Sequence, residues 1–402
     1  MEEEEEVVIV GGGISGLATA LALHRKGVRS VVLERSESLR ATGAAIGIIT
    51  NGWLALHQLG VASKLRLTAL PIQGARDVWL HNGKHQATPL AIGEARCLKR
   101  SDLVTILAEN LPVGSIRFGS QVLAVKLDPV TSCPVVELNN GSVIKSKVLI
   151  GCDGAHSVVA DYLELTPPKL FSILTVRGFT NYPSGHGFPI EFLRIRGDSL
   201  VMGRIPIDHK LVYWFLGLVG PRKGHSSIPM DPELIRQLSL QSIKNFPIEM
   251  MEMVANSESD SLSLTRLRYR APWDILLGRF HKGMVAVAGD AMHVMGPFLG
   301  QGGSAGVEDA IVLARCLAHT LKQVESTSGS GRQTIVISKV GEALDQYVKE
   351  RRMRLVQLST QTYLVGSQIQ TSSSIVKFGC IVLMILLFNN PIAHTRYNCG
   401  QL

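Results

Sequence analysis

The sequence predicts an α/β fold in which a Rossmann-type nucleotide-binding domain is interleaved with an antiparallel-sheet domain and followed by carboxy-terminal helices. Three observations predict it. The chain opens on an apolar run, a glycine-rich turn and a helical segment, "VVIVGGGISGLATALALHRKG". A second glycine-rich turn, "GDAMHVMGPFLGQGGSAGVEDA" (289–310), comes late and also feeds a helix. Between them the chain is rich in short β-like runs broken by Gly and Pro.

In order, Val7 to Val10 reads as a short apolar strand and Ile14 to Lys26 as a helix capped by Gly27. Val28 to Leu33 is a second strand, completing a βαβ unit. "DVWLHNGKHQATPL" reads as a hairpin turning at Asn82-Gly83, and "VVELNNGSVIKSKVLIGCDG" as one turning at Asn140-Gly141. Leu170 to Leu218 reads as an antiparallel sheet, and "DPELIRQLSLQSIKN" as a helix. "GMVAVAG" (283–289) is a buried parallel strand, and Ser304 to Leu321 a helix. "ESTSGSGRQ" reads as a flexible loop, and the remainder as mostly helical.

Gly11, Gly13 and Gly16 match G-x-G-x-x-G between a strand and a helix. Gly11 permits the tight turn, Gly13 lets a pyrophosphate approach the backbone, and Gly16 lets helix and strand pack closely. The turn Gly11-Gly12-Gly13-Ile14-Ser15-Gly16 aims helix N–H groups at phosphates. Glu34 ends the second strand where an acid bonds ribose hydroxyls, with Arg35 beside it. "GQGGSA" also fits G-x-G-x-x-A, but the preceding strand ends near Ala288 and no acid-ended strand follows. Both turns therefore serve one long cofactor. Asp290 stands at a strand's carboxyl end and can hold polyol hydroxyls, and the following helix aims its positive end at a flat ring. A dinucleotide with a polyol and a ring that turns anionic on reduction is FAD.

The second turn resembles the G-D motif of the single-component FAD-dependent aromatic hydroxylases, the p-hydroxybenzoate and salicylate hydroxylase-like family, with plant members the most similar. "VLIGCDGAHSVVA" resembles their D-G motif with Asp153-Gly154, "RCLKRSDLVTIL" their R-x-x-L segment with Arg100, and "TGAAIGIITN" their flavin-lining loop. Ala45 stands where the loop usually has glycine, and Thr50 where it usually has proline. The resemblance implies a Rossmann-type FAD-binding domain interleaved with a substrate domain. It implies that Arg100, Asp153 and Asp290 contact FAD, that Gly300, Gly302 and Gly303 lie near the ring, and that Pro297 shapes the oxygen side. It also implies NADPH or NADH as a transient reductant without a second nucleotide fold. One atom of O2 would enter a small aromatic or electron-rich substrate through a flavin hydroperoxide. A same-fold flavin reductase and a non-catalytic flavin-binding regulator are the alternatives.

The expected organisation is 1–70, 96–165 and 271–325 for FAD, 71–95 and 166–270 for substrate, and 326–402 as a helical region. No catalytic acid or base is assigned: Tyr182, Tyr213 and Tyr269 read as sheet or core tyrosines, and His293 as support beside the flavin loop. His81 and His85 are separated by a turn and make no metal site, and "PIEMMEM" reads as core. The charge of +8 is scattered and aromatics are only 5%, which argues against nucleic acid. The runs "LRYR" and "KERRMR" read as solvated helix faces. Six dispersed cysteines fit reduced thiols, and the acidic start reads as a solvated tail rather than a targeting signal, so a cytoplasmic protein is expected. "FGCIVLMILLF" (378–388) is too short to span a membrane and reads as a buried helix, with a membrane-surface contact as the alternative.

Overall fold

The computed structural model describes residues 2–39, 44–88, 93–197, 200–220, 231–325, 332–390 and 392–402. The predicted loop at 325–333 lies largely outside them. Among the described residues two large sheets form, of eight and seven strands.

The first sheet is built on Glu2–Val10, which pairs in parallel with Val143–Gly151 on one side and Val31–Leu33 on the other. Val285–Val287 extends it in parallel beside Val143–Gly151. Val7, Val8, Ile9, Val148, Leu149 and Ile150 are all solvent-free, as expected of strands covered on both faces. The helices Ile14–Arg25 and Gly302–Glu325 pack against each other here. The hairpin at Asn140-Gly141 forms between Pro134–Leu138 and Val143–Gly151.

The acidic start is not a tail. Glu2 to Glu5 pair with Val143 to Ser146, inside the strand. Cations make this tolerable: Arg117 bridges Glu3 and Glu5, and Lys147 lies 3.9 Å from Glu6. The second strand is shorter than predicted, Val31–Leu33.

The second sheet runs Ser263–Tyr269, Lys169–Asn181, Leu211–Val219, Leu200–Pro206, Glu191–Arg196, Gly74–Trp79 and His85–Thr88. It is antiparallel except where Glu191–Arg196 meets Gly74–Trp79 in parallel. That exception arises because an early hairpin joins strands made much later. One face packs on the helices Pro232–Ser242 and Ile248–Ala255, where Trp214, Met250 and Met253 are buried. The methionines of "PIEMMEM" are thus core there, save Met251, which is half-buried. The other face joins the core of the first sheet through Phe179, Ile205 and Tyr213.

A long helix, Arg332–Gln370, then packs along Gly302–Glu325, and Ser374–Leu387 folds back on it. The latter helix is not buried as expected: within it only Cys380 is.

Candidate active site

The first turn sits at the carboxyl ends of the parallel strands. Gly11 has φ +102°, and a Cβ there would lie 2.6 Å from the Cys152 carbonyl oxygen. Only glycine fits both demands. The turn is closed by Glu34, whose carboxylate accepts from Gly12 N at 2.7 Å and from Ser36 N at 2.9 Å. Glu34 is buried, so these two charge-assisted bonds lock it beneath the turn.

A cleft of about 220 Å³ opens above. Its wall includes Gly11, Gly12, Gly13, Glu34, Arg35, Arg100 and Asp153. Seven of the predicted positions, scattered over more than a hundred residues of sequence, therefore line one recess. Ser120 and Gln121 also line it and carried no sequence signal; His156, which belongs to the D-G segment, lines it too. Arg100 is placed by a small antiparallel pair, Ala45–Ile48 with Arg96–Lys99, at whose end Arg100 N donates to Ala44 O at 3.3 Å.

Asp153 accepts from Val158 N at 2.8 Å through Oδ2, while Oδ1 is buried with no hydrogen-bond partner. Desolvation pushes its pKa up, against the hydrogen bonds that favour its charge. A buried acceptor turned toward a recess fits a donor supplied by a ligand, such as a sugar hydroxyl. The glycine turn, the orphan acceptor and the cation Arg100 together fit a dinucleotide.

The second turn meets the first at Ser15. A Cβ on Gly289 or on Gly306 would overlap the Ser15 hydroxyl. The two glycine segments are thus packed on one another. Asp290 begins a short helix, Asp290–His293, and is exposed to solvent. Desolvation raises its pKa, opposed by the charges of His293 and Arg100. Pro297 is exposed on a turn, Pro297–Leu299, and Gly300 ends it in the left-handed region. The following helix begins at Gly302, two residues before the predicted start, with Gly303 against Ile46 of the flavin-loop strand.

Sequence reasoning missed what supports this segment. Asp309 is solvent-free and accepts from Gly289 N at 2.9 Å and from Arg351 Nε at 2.7 Å, and His293 Nε2 lies 2.6 Å away. Burial works to raise the Asp309 pKa, but His293, Arg351 and these hydrogen bonds prevail and hold it at about 2. Glu308 pairs with Arg351 at 2.8 Å and Arg354 at 3.2 Å, and accepts from Asn51 Nδ2 at 2.6 Å. "KERRMR" is therefore no solvated face. Arg351 and Arg354 are buried, and Arg352 caps the carbonyls of Ile275, Leu276 and Gly278. The same holds in "LRYR", where buried Arg270 binds the carbonyls of Thr166 and Ala291. One signal was present: Glu308-Asp309 stands inside an otherwise apolar helical run, and buried acids demand cations.

The inner face of the second sheet joins the same core through Phe179, Ile205 and Tyr213. One row across it holds Ala75, Phe192, Ile205, Tyr213 and Phe179. The next holds Asp77, Arg194, Gly203, Phe215 and Arg177. Phe179 and Tyr213 rings are 5.6 Å apart, and Phe192 and Phe215 6.1 Å. Arg194 is held bidentate by Asp77 at 2.8 and 3.0 Å, while Arg177 stands half-buried beside Tyr213. Desolvation raises the pKa of Tyr182, Tyr213 and Tyr269 alike, so none is prepared as a base.

Comparison with known proteins agrees with this geometry. Residues 4–361 match the family model described as FAD binding domain. Monooxygenase 1 of Arabidopsis thaliana is 51% identical over 402 residues, covering 100% of both chains. Monooxygenase 2 of the same plant is 37% identical over 420 residues, again covering 100% of both. The fold is similar to Klebsiella pneumoniae HpxO crystallised with FAD and uric acid, with TM-score 0.76 and 19% identity over 98% of this chain and 96% of that one. With the family model matched over most of its length and two plant monooxygenases similar over all of it, this chain belongs to the FAD binding domain family and is an FAD-dependent monooxygenase.

Proposed function

We propose that this monooxygenase draws electrons from NADPH or NADH as a transient reductant and adds one oxygen atom from O2 to a small aromatic or otherwise electron-rich molecule, in the cytoplasm. The observation that supports the substrate reading is the aromatic face of Phe179, Phe192, Tyr213 and Phe215, which packs into the core of the first sheet, with Tyr213 near Cys97 of the strand that leads to Arg100. Flat apolar rings select a flat apolar partner.

The cleft and the two glycine turns support a division of labour. FAD, when bound, supplies oxygen activation. Gly11, Gly12, Gly13, Ile14, Ser15 and Gly16 would hold its phosphates at the first helix start, with Glu34, Arg35, Arg100 and Asp153 along the adjoining part. Asp290, Pro297, Gly300, Gly302 and Gly303 border the ring end. The helix starting at Gly302 directs its positive end there and favours negative charge. The sheet face keeps water from the reacting centre. Tyr213, kept protonated by burial, can donate a hydrogen bond but not remove a proton. Arg177 offers a positive charge at the edge of the aromatic face and would favour substrates that are acidic or phenolate-like.

The test is oxygen uptake and peroxide release by FAD-loaded protein with NADPH, then NADH, against phenolic acids and terpenoids. A compound that speeds NAD(P)H oxidation while peroxide stays low is a substrate. Faster oxidation with all the oxygen recovered as peroxide for every compound counts against the aromatic reading.

A further inference from the structure

The helix Ser374–Leu387 presents an apolar surface that nothing described in the chain covers. Ile375 is 84% exposed, Phe378 68%, Ile385 66% and Leu386 70%. Val376, Ile381, Leu383 and Leu387 are also exposed. This is no frayed end. Ser373 caps the helix by accepting from Val376 N, and the helix packs on Arg332–Gln370. Beyond it the tail is tied down: Arg354 donates to His394 O at 2.9 Å and Arg315 to Cys399 O at 2.8 Å. A contiguous apolar face held rigidly in solvent marks an interaction surface.

Two observations say what covers it. The first is charge. From Arg351 to Leu402 the chain has no Asp or Glu; Arg351 and Arg354 are buried against Glu308 and Asp309 and Arg352 is bound to backbone carbonyls, which leaves Lys377 and Arg396 as the exposed cations. Lys377 lies on the helix itself and Arg396 is exposed just beyond it. An acid-free, weakly basic and strongly apolar surface complements anionic headgroups over acyl chains. It does not complement a second copy, since both copies would bring the same positive charge. The second is a smaller apolar patch on Pro272–Leu277, which packs on the same long helix. There Trp273, Leu276 and Leu277 are exposed, and Lys169 Nζ stands 5.0 Å above the Trp273 ring. Trp with an adjacent lysine is a pairing suited to the headgroup level.

We propose that this face docks on the surface of a bilayer containing anionic lipids, with Ser374–Leu387 lying in the interfacial plane. At 1.5 Å per residue the helix is about 21 Å long, against about 30 Å for a hydrocarbon core. No described helix is long and apolar enough to cross a membrane. Docking is therefore monotopic and reversible.

The experiment floats the full-length FAD-loaded protein with phosphatidylcholine vesicles, and with the same vesicles containing phosphatidylserine. The protein should rise with the phosphatidylserine vesicles and largely stay behind with phosphatidylcholine alone. Replacing three exposed side chains together (Phe378→Gln, Ile385→Gln, Leu386→Gln) should lower the partition coefficient by at least about a hundredfold. Lys377→Ala should lower it about fivefold. Flavin absorbance and unfolding temperature should not move in either variant, which keeps the comparison between folded proteins. Absence of flotation with both vesicle types overturns the proposal, as does equal flotation of the wild type and the triple variant. Light scattering that finds a dimer dissolved by the triple substitution, with vesicles ignored, gives the face to a second copy instead.

Discussion

At the scale of single residues, the glycines of the first turn were legible because their demand is local. A strand, a turn and a helix in sequence fix the backbone that Gly11 must adopt, and its φ of +102° follows. Gly11→Ala forces both a left-handed alanine and a clash with the Cys152 carbonyl. Protein purified with this substitution should retain at least about tenfold less FAD after gel filtration, read as flavin absorbance per chain. Asp309 was legible only as an acid in an apolar helical run; its partners Gly289 and Arg351 were not, because they come from other parts of the chain. Its pKa is depressed to about 2 in the fold, against about 3.9 in an unfolded chain. It therefore contributes stability that is fully present above about pH 4 and is lost as pH falls toward 2. The size is on the order of 2 kcal/mol. Asp309→Asn should remove that part of the acid dependence in denaturant titrations between pH 5 and pH 2; an unchanged slope would refute the assignment. At the aromatic face, Arg177→Leu should raise KM for an acidic substrate about tenfold and leave KM for a neutral analogue within about twofold.

At the scale of elements, pattern and composition sufficed wherever one face of a strand or helix meets one environment. The hairpins at Asn82-Gly83 and Asn140-Gly141 form as their turn residues dictate. The failures share a cause. Arg351, Arg354 and Arg270 look like surface residues by type, yet acids and carbonyls on distant segments recruit them inward. Ser374–Leu387 looks like a core helix by type, yet the chain provides too little apolar surface to enclose it. Charge and hydropathy report what a side chain prefers, not whether a partner exists. The long helix Arg332–Gln370 acts on the site through Arg351. Arg351→Leu leaves Glu308 and Asp309 buried with fewer cations, at a cost of about 3–5 kcal/mol. The unfolding temperature should fall by several degrees, and Arg351→Lys should restore little of it, because lysine cannot reproduce the fork that holds both acids.

At the scale of the whole molecule, the parts of the site come from the first turn, the middle of the chain and the second turn, so a cofactor that contacts all of them ties the fold together. FAD present at a hundred times its Kd should raise global stability by about 2.7 kcal/mol. Stripping FAD should lower the unfolding temperature and speed amide exchange across 289–303 more than across 211–219. Uniform exchange along the chain would show that the second turn does not depend on the cofactor. The interleaving itself was readable in outline, since the glycine turns stand far apart with β-rich sequence between them. The parallel join of Glu191–Arg196 to Gly74–Trp79 was not, because no local pattern records which distant strand an edge will accept.

That interleaving also constrains how the protein can be made. Val8 cannot meet Leu149 until residue 149 has left the ribosome, and Leu149 must wait again for Val285. The first strand synthesised is thus among the last to be fully enclosed. During translation its bare apolar edge is open to wrong partners, which is when non-local pairings make chains prone to aggregate. Five glutamates at its leading end keep that edge charged through the interval. The acidic run would then act first as a guard for the nascent chain, and only later as ordinary strand.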